Sequence, residues 1–331
     1  MNTMNTRVVV TGGAGFIGRE AIRKFVAAGY DVLCFDLAEQ ISRHKAILNE
    51  IGELGCLTLA HGSILDRNSL RNAMDGADIV IHLAAMLGVK KTEDNKLGCI
   101  EVNITGTDNV LAAAATHGVK KFIFASSSEV YGEPDTNPIT ELQTTKGKTV
   151  YAVTKIAGEE LTKGYNQRYP SMDFTIIRFF NTYGEGQVAQ FVLAKWVMNA
   201  LQGINPVVYG DGNQTRSYGH VDDVTKGVQM IIENKKSNGK TYNLGNSTQV
   251  RTLKELAQQV IDIVAPNKDL KVEVLGNFDG ADRIPEREIH IRYCDTSYAN
   301  RELGYEPTIT VEEGIRRIAA QVKIHSDWPT A

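Results

Sequence analysis

The chain has 331 residues, 42% of them hydrophobic and 23% charged, with a formal net charge of −3 at pH 7. That is enough chain to bury a full core, as one large α/β domain or as two lobes sharing a site. The balance argues against nucleic acid or a membrane surface as partner, and Lys90-Lys91, Lys120-Lys121 and Lys235-Lys236 read as solvated faces rather than a basic patch.

In chain order, residues 8–10 form a first apolar strand. A helix is predicted over 16–28, where Phe16, Ile17, Ala21, Ile22 and Phe25 recur at helical spacing. Further strands are expected at 32–35, 79–83, 122–125 and 174–177, with helices at 106–117 and 151–168 between the last of them. Strands alternating with helices predict a Rossmann-type, doubly wound parallel sheet. The nearly continuous apolar runs fit a sheet covered on both faces. After about residue 181 glycine and proline become denser, with helices at 191–201, 222–233, 253–264 and 311–323. The expected division is therefore a Rossmann-type domain at 1–181 and a smaller α/β lobe at 182–331, part of which returns to the first sheet. Cys34, Cys56, Cys99 and Cys294 show no CxxC spacing, which predicts a reducing compartment. With a polar start at residues 1–7 and no apolar span of about 20 residues, the expected location is cytoplasmic.

Thr11-Gly12-Gly13-Ala14-Gly15-Phe16-Ile17-Gly18 joins the first strand to the first helix. Gly12 permits the tight turn, Gly15 lets backbone approach a pyrophosphate, and Gly18 allows close helix packing. The helix N-terminus offers free N–H groups to the phosphates. Asp36, 18 residues past Gly18, ends the second strand. A carboxylate there accepts from ribose hydroxyls and repels a 2′-phosphate, which predicts NAD rather than NADP.

Tyr151 and Lys155 form a YxxxK pair at i, i+4 on one helix face. An ammonium and an oxidised nicotinamide beside the phenol both favour phenolate, the form that takes a hydroxyl proton. Ser126-Ser127-Ser128-Glu129 lies at the C-terminal end of a predicted strand, the edge where open α/β sheets bind ligands. His82 reads as a satisfied core histidine, and His220-Val221-Asp222-Asp223 as a helix start rather than a metal site.

With these motifs the chain resembles the extended short-chain dehydrogenase/reductase family, the NAD-dependent nucleotide-sugar epimerases and dehydratases. The match runs through TGGAGFIG at 11–18, HLAA at 82–85, Asn103 before Gly106-Thr107, SSSEVYG at 126–132, YAVTK at 151–155, RFFNTYG at 178–184 and YGDGNQTRSYGHVDD at 209–223. The resemblance implies Ser127, Tyr151 and Lys155 as catalytic residues, with Lys155 and Tyr151 also on the nicotinamide side. It implies that Leu83, Ala84, Ala85 and Asn103 line the cofactor. Ser63 and Ile64 occupy a stretch where the family often has an aspartate on the adenine. Ser127, Ser128, Asn181 and Arg216 would hold the substrate, with Arg283 or Arg287 as a second cation and Arg292 a further candidate. The partner implied is a nucleotide sugar, UDP-linked, and the assembly a homodimer packed through helices 103–117 and 151–168. Oxidation at C4 would give a 4-keto sugar. The body of the sequence favours 4-epimerisation, whereas Glu129 favours a dehydratase or a uronate decarboxylase. Ser128 stands where many 4,6-dehydratases carry an aspartic acid.

Overall fold

The strands of the central sheet grow from the short apolar runs: β1 Arg7–Thr11, β2 Asp31–Asp36, β3 Leu57–His61, β4 Ile79–His82, β5 Lys121–Ser127, β6 Asp173–Phe179 and β7 Lys240–Leu244. The structure is a computed structural model and describes residues 6–281 and 284–324. All seven strands pair in parallel, in the order β7-β6-β5-β4-β1-β2-β3. The order reverses between β1 and β4, and the crevice at that switch point is where such sheets bind ligands.

Alternation along β1 decides the two faces. Val8 and Val10 point to one side, with Ala21, Ile22 and Phe25 of the helix Phe16–Ala27. Val9 points to the other, with Val110, Leu111 and Ala114 of the helix Gly106–Thr116. A third core belongs to the smaller lobe. There Leu193, Trp196 and Val197 pack on Leu256, Val260, Val311 and Ile315. These residues come from the helices Val192–Gln202, Leu253–Val264 and Val311–Ile324.

The lobes do not divide cleanly at residue 181. β7 returns to the edge of the main sheet beside β6. The helix Val221–Glu233 lays Val224, Val228, Ile231 and Ile232 against the first core, where Ala299 and Tyr305 join them. Among the described residues no helix is long and apolar enough to cross a membrane.

Candidate active site

The glycine turn leaves β1 at the switch point. Gly12 has φ +71, and a Cβ there would stand 2.6 Å from the Ala84 nitrogen, so only glycine lets β1 and the Leu83–Ala85 run approach so closely. The Gly12 N–H donates to Phe35 O (2.9 Å) and the Leu83 N–H to Thr11 O (3.0 Å), fixing both walls of the crevice. Gly18 is pressed against the carbonyls of Gly12 and Gly13. Phe16 and Ile17 open the helix and stay half-buried. Asp36 accepts from the Ala14 N–H (3.0 Å) and the Leu37 N–H (2.8 Å). Burial raises its carboxyl above the ordinary value, against the pull of those bonds. Each carboxylate oxygen has a second lone-pair direction for a ribose hydroxyl, so the cradle fits a dinucleotide.

Of the other cofactor-side residues, Ser63 follows β3, and its Oγ accepts from the Leu65 N–H at 3.1 Å. The Ile64 side chain packs into the second core, against Gly106. Asn103 lies in a π-helical turn, Glu101–Thr105. Its Oδ1 accepts from the Met86 N–H (2.7 Å), and its Nδ2 donates to Met86 O and Thr154 Oγ1 (both 3.0 Å). Asn103 thus ties the wall that follows β4 to the Tyr151 helix with its amide already engaged. His82 is buried between Thr11 Oγ1 (2.7 Å) and Thr107 Oγ1 (2.9 Å), and burial lowers it to about 3.

Tyr151 opens the helix Val150–Arg168. Thr149 caps that helix through the Ala152 N–H, and Glu93 Oε1 accepts the Val150 N–H at 2.9 Å. Sequence reading missed Glu93, because nothing local links residue 93 to residue 150. Burial works to raise its carboxyl, but the Val150 N–H and Lys96 hold it below the usual range. Gly158 lets the helix lie on β5, since a Cβ there would meet the Phe124 ring at 2.2 Å. Lys155 is 4% exposed and donates to Ala125 O at 2.8 Å. Its Nζ is 5.7 Å from the Tyr151 ring centre, and burial lowers it to about 8.

The Tyr151 phenol lies beside Ser127 at the end of β5, and that hydroxyl acts to lower its pKa. Among the protein's own groups, burial and then the Glu129 carboxylate push it up, not down as the YxxxK spacing predicts. The spacing holds, but the ammonium is aimed at a carbonyl, so its effect does not outweigh the loss of solvation. Behind this pair, Arg178 grips Glu159 with two bonds (Nε–Oε1 2.9 Å, Nη2–Oε2 2.7 Å). Ser126 Oγ donates to Glu159 Oε1 (2.5 Å), and Arg178 Nη1 to Tyr131 Oη (2.9 Å). This buried network locks the Tyr151 helix to the serine-bearing strand.

Glu129 follows in a 3-10 turn, Ser128–Tyr131. Its Oε1 is 2.9 Å from Nη1 of Arg292, which is 3% exposed. Arg292 Nη2 donates to Asn181 Oδ1 at 3.5 Å. Asn181 holds φ +30, a left-handed conformation uncommon outside glycine, and its Nδ2 donates to Ser217 O. Arg292 Nε and Nη1 make no well-directed hydrogen bond among the described residues. Ser128 is buried beside Glu129.

Arg216 is buried and paired with Glu288 (2.6 Å), and it also donates to Thr215 O and His290 O. Arg287 is exposed and donates to Lys148 O. Arg283 lies outside the described residues. The structure thus brings Ser127, Tyr151, Lys155, Glu129, Asn181 and Arg292 together at one sheet edge, with Arg287 on the surface. Asp222 joins the lobes, meeting Lys24 at 3.2 Å and Arg317 at 3.0 Å, and His220 beside it meets Glu185 at 2.8 Å.

The family model of the NAD dependent epimerase/dehydratase family matches residues 8–245, and the chain belongs to that family. It is 34% identical over 326 residues to a UDP-N-acetyl-alpha-D-glucosaminuronate decarboxylase of Bacillus cytotoxicus, covering 95% of this chain and 96% of the relative. It is 30% identical to a putative UDP-glucose 4-epimerase of Methanocaldococcus jannaschii, with 96% and 98% covered. Among solved structures, DesIV, a dTDP-glucose 4,6-dehydratase from Streptomyces venezuelae with NAD and TYD bound, superposes with a TM-score of 0.86. It is 27% identical, with 98% of each chain covered. The protein is an NAD-dependent nucleotide-sugar enzyme of the epimerase/dehydratase type.

Proposed function

We propose that the substrate is a UDP-linked hexuronate, oxidised at C4 and decarboxylated at C5. The observation that carries this reading is Arg292: a buried guanidinium at the sugar end of the site, in contact with Glu129 through Nη1 and with Asn181 through Nη2, its Nε without a hydrogen bond among the described residues. A planar fork with donors to spare suits a substrate carboxylate. The identity with a uronate decarboxylase points the same way. The sequence alone leaned narrowly to 4-epimerisation, and Arg292 beside Glu129 moves the balance.

NAD, held by the glycine turn and Asp36, would supply the hydride acceptor for C4 and the hydride needed once carbon dioxide is lost. Tyr151, beside Ser127, takes the C4 hydroxyl proton, and buried Lys155 holds positive charge near the phenol ring. The C4 ketone is β to the C6 carboxylate. The C5–C6 bond then breaks, its electron pair passes into the C4 carbonyl as an enolate, and carbon dioxide leaves. A proton returns to C5. Arg292 orients the carboxylate. Glu129 sets a negative charge beside it, and that repulsion is relieved as neutral carbon dioxide departs.

We further propose a cytoplasmic homodimer. Four free cysteines suit a reducing compartment. Leu97, Ile100 and Val153 expose apolar side chains beside a groove of about 700 Å³ lined by Ile104, Ala157, Leu161 and Tyr165.

The test is a panel of UDP-hexuronates and UDP-hexoses with products read by mass spectrometry. Loss of carbon dioxide from a uronate is expected. An unchanged mass with C4 inverted, or loss of water, would replace this reading by epimerase or dehydratase.

A further inference from the structure

Arg19 follows Gly18 in the helix that opens at the glycine turn, and it is 7% exposed. Its Nη1 donates to Ala14 O at 2.7 Å, within that turn. Its Nη2 donates to Gly186 O at 3.0 Å, in the smaller lobe. Among the described residues no carboxylate oxygen lies within salt-bridge distance of it. Asp36 is the acid that influences it most, and that carboxylate is already bound to the Ala14 and Leu37 N–H groups. Burial lowers the guanidinium to about 10, so it remains a cation at neutral pH.

The far side of this contact is equally constrained. Gly186 has φ +82, and a Cβ there would stand 2.9 Å from Arg19 Nη2. The Gly186 N–H donates to Gln321 Oε1 at 2.8 Å, so the turn is pinned between Arg19 and the helix Val311–Ile324. Neighbouring Glu185 is held by His220 at 2.8 Å. A buried guanidinium that hydrogen-bonds only carbonyls, its strongest acidic neighbour Asp36 beyond salt-bridge distance, has its charge only partly compensated, and a nearby anion would complete the compensation. The dinucleotide cradle is directly adjacent, and a pyrophosphate brings two negative charges to the N–H groups at the head of this helix.

We propose that Arg19 is a cofactor-retention residue: its buried charge faces the pyrophosphate while its fork clasps the glycine turn to Gly186 of the other lobe. NAD then leaves only when this clasp opens, and retention of the cofactor depends on the smaller lobe as well as on the Rossmann sheet. The inference does not rest on the decarboxylase reading and is tested without a nucleotide sugar.

The experiment follows exchange of bound NAD against isotopically labelled NAD in the holoenzyme. Arg19→Met removes charge and clasp together. Gly186→Ala forces the clasp from the opposite side without touching the glycine turn. Both are expected to release NAD at least about tenfold faster than wild type, equivalent to roughly 1.4 kcal/mol. Arg317→Ala is the control, because it cuts the lobe seam at Asp222 away from the cradle, and it is expected to release NAD at the wild-type rate. Wild-type release from both Arg19→Met and Gly186→Ala overturns the proposal. So does equally fast release from Arg317→Ala, which would make the effect a general loosening of the lobes. If Arg19→Met does not fold, Gly186→Ala carries the test alone.

Discussion

Glu129 and Arg292 meet at 2.9 Å across the mouth of the active site, the first on the turn after β5 and the second on the short strand Ile291–Arg292. That strand runs parallel to Thr215–Ser217, which places Arg292 opposite Arg216. The two arginines differ in what holds them. Arg216 is paired with Glu288 and bonded to two carbonyls, whereas Arg292 touches an acid through Nη1 and keeps Nε without a hydrogen bond among the described residues.

The first prediction concerns this pair. Glu129→Gln should slow carbon dioxide release from a UDP-hexuronate by about 10²-fold or more, the range of a positioned catalytic group. Arg292→Lys keeps the charge but loses the fork, and it should raise KM for the uronate more than it lowers kcat. Steady-state kinetics on both variants decide the matter. Full activity in Glu129→Gln would remove the acid from the mechanism.

Tyr151→Phe should lower turnover by about 10²–10⁴-fold, because the phenol is the group that accepts the hydroxyl proton. NAD content of the purified variant, measured after denaturation, should stay at the wild-type level. A variant that turns over nearly normally would show that another group is the base.

His82 gives a pH prediction about stability. The folded protein holds the ring neutral down to about 3, while an unfolded chain protonates it near 6.5. Between those values the unfolded state binds more protons, so stability is complete above 6.5 and falls as pH drops toward 3. From about pH 7 to about pH 5 the loss from this group is about 2 kcal/mol. Urea midpoints of wild type and His82→Gln at the two pH values test it. The variant should lose less, and equal losses would refute the assignment.

The fourth prediction concerns assembly. Wild type should sediment as a dimer at micromolar concentration. Val153→Glu, which puts a charge on an exposed apolar position of the Tyr151 helix, should shift it to monomer. A monomeric wild type would refute the proposed interface.

The glycine turn, Asp36, Ser127, Tyr151 and Lys155 were legible in the sequence because each depends on short-range spacing around one strand end or one helix turn. β3 and β7 were not. They are the two edge strands, and LTLAH and KTYNL lack the continuous apolar run of a strand covered on both faces. Glu93, Arg19 and the choice of Arg292 were hidden for another reason. Each meets a partner brought near only by the tertiary fold: Val150, Gly186 and Glu129. Spacing correctly put Tyr151 and Lys155 on one face, but it could not reveal that the lysine would aim at Ala125 O.

The return of the chain to β7, with Val221–Glu233 packed on the first core, bears on how such enzymes can be recombined. A chimera cut at 181, grafting the second part from a relative with another sugar specificity, would exchange an edge strand and part of the first core along with the sugar pocket. The backbone of β6 would then have to pair with a foreign strand, and Ala21 and Ile22 would have to fit a foreign helix. Specificity in this scaffold is therefore best changed residue by residue at the sheet edge, because no single crossover separates recognition from the frame that carries it.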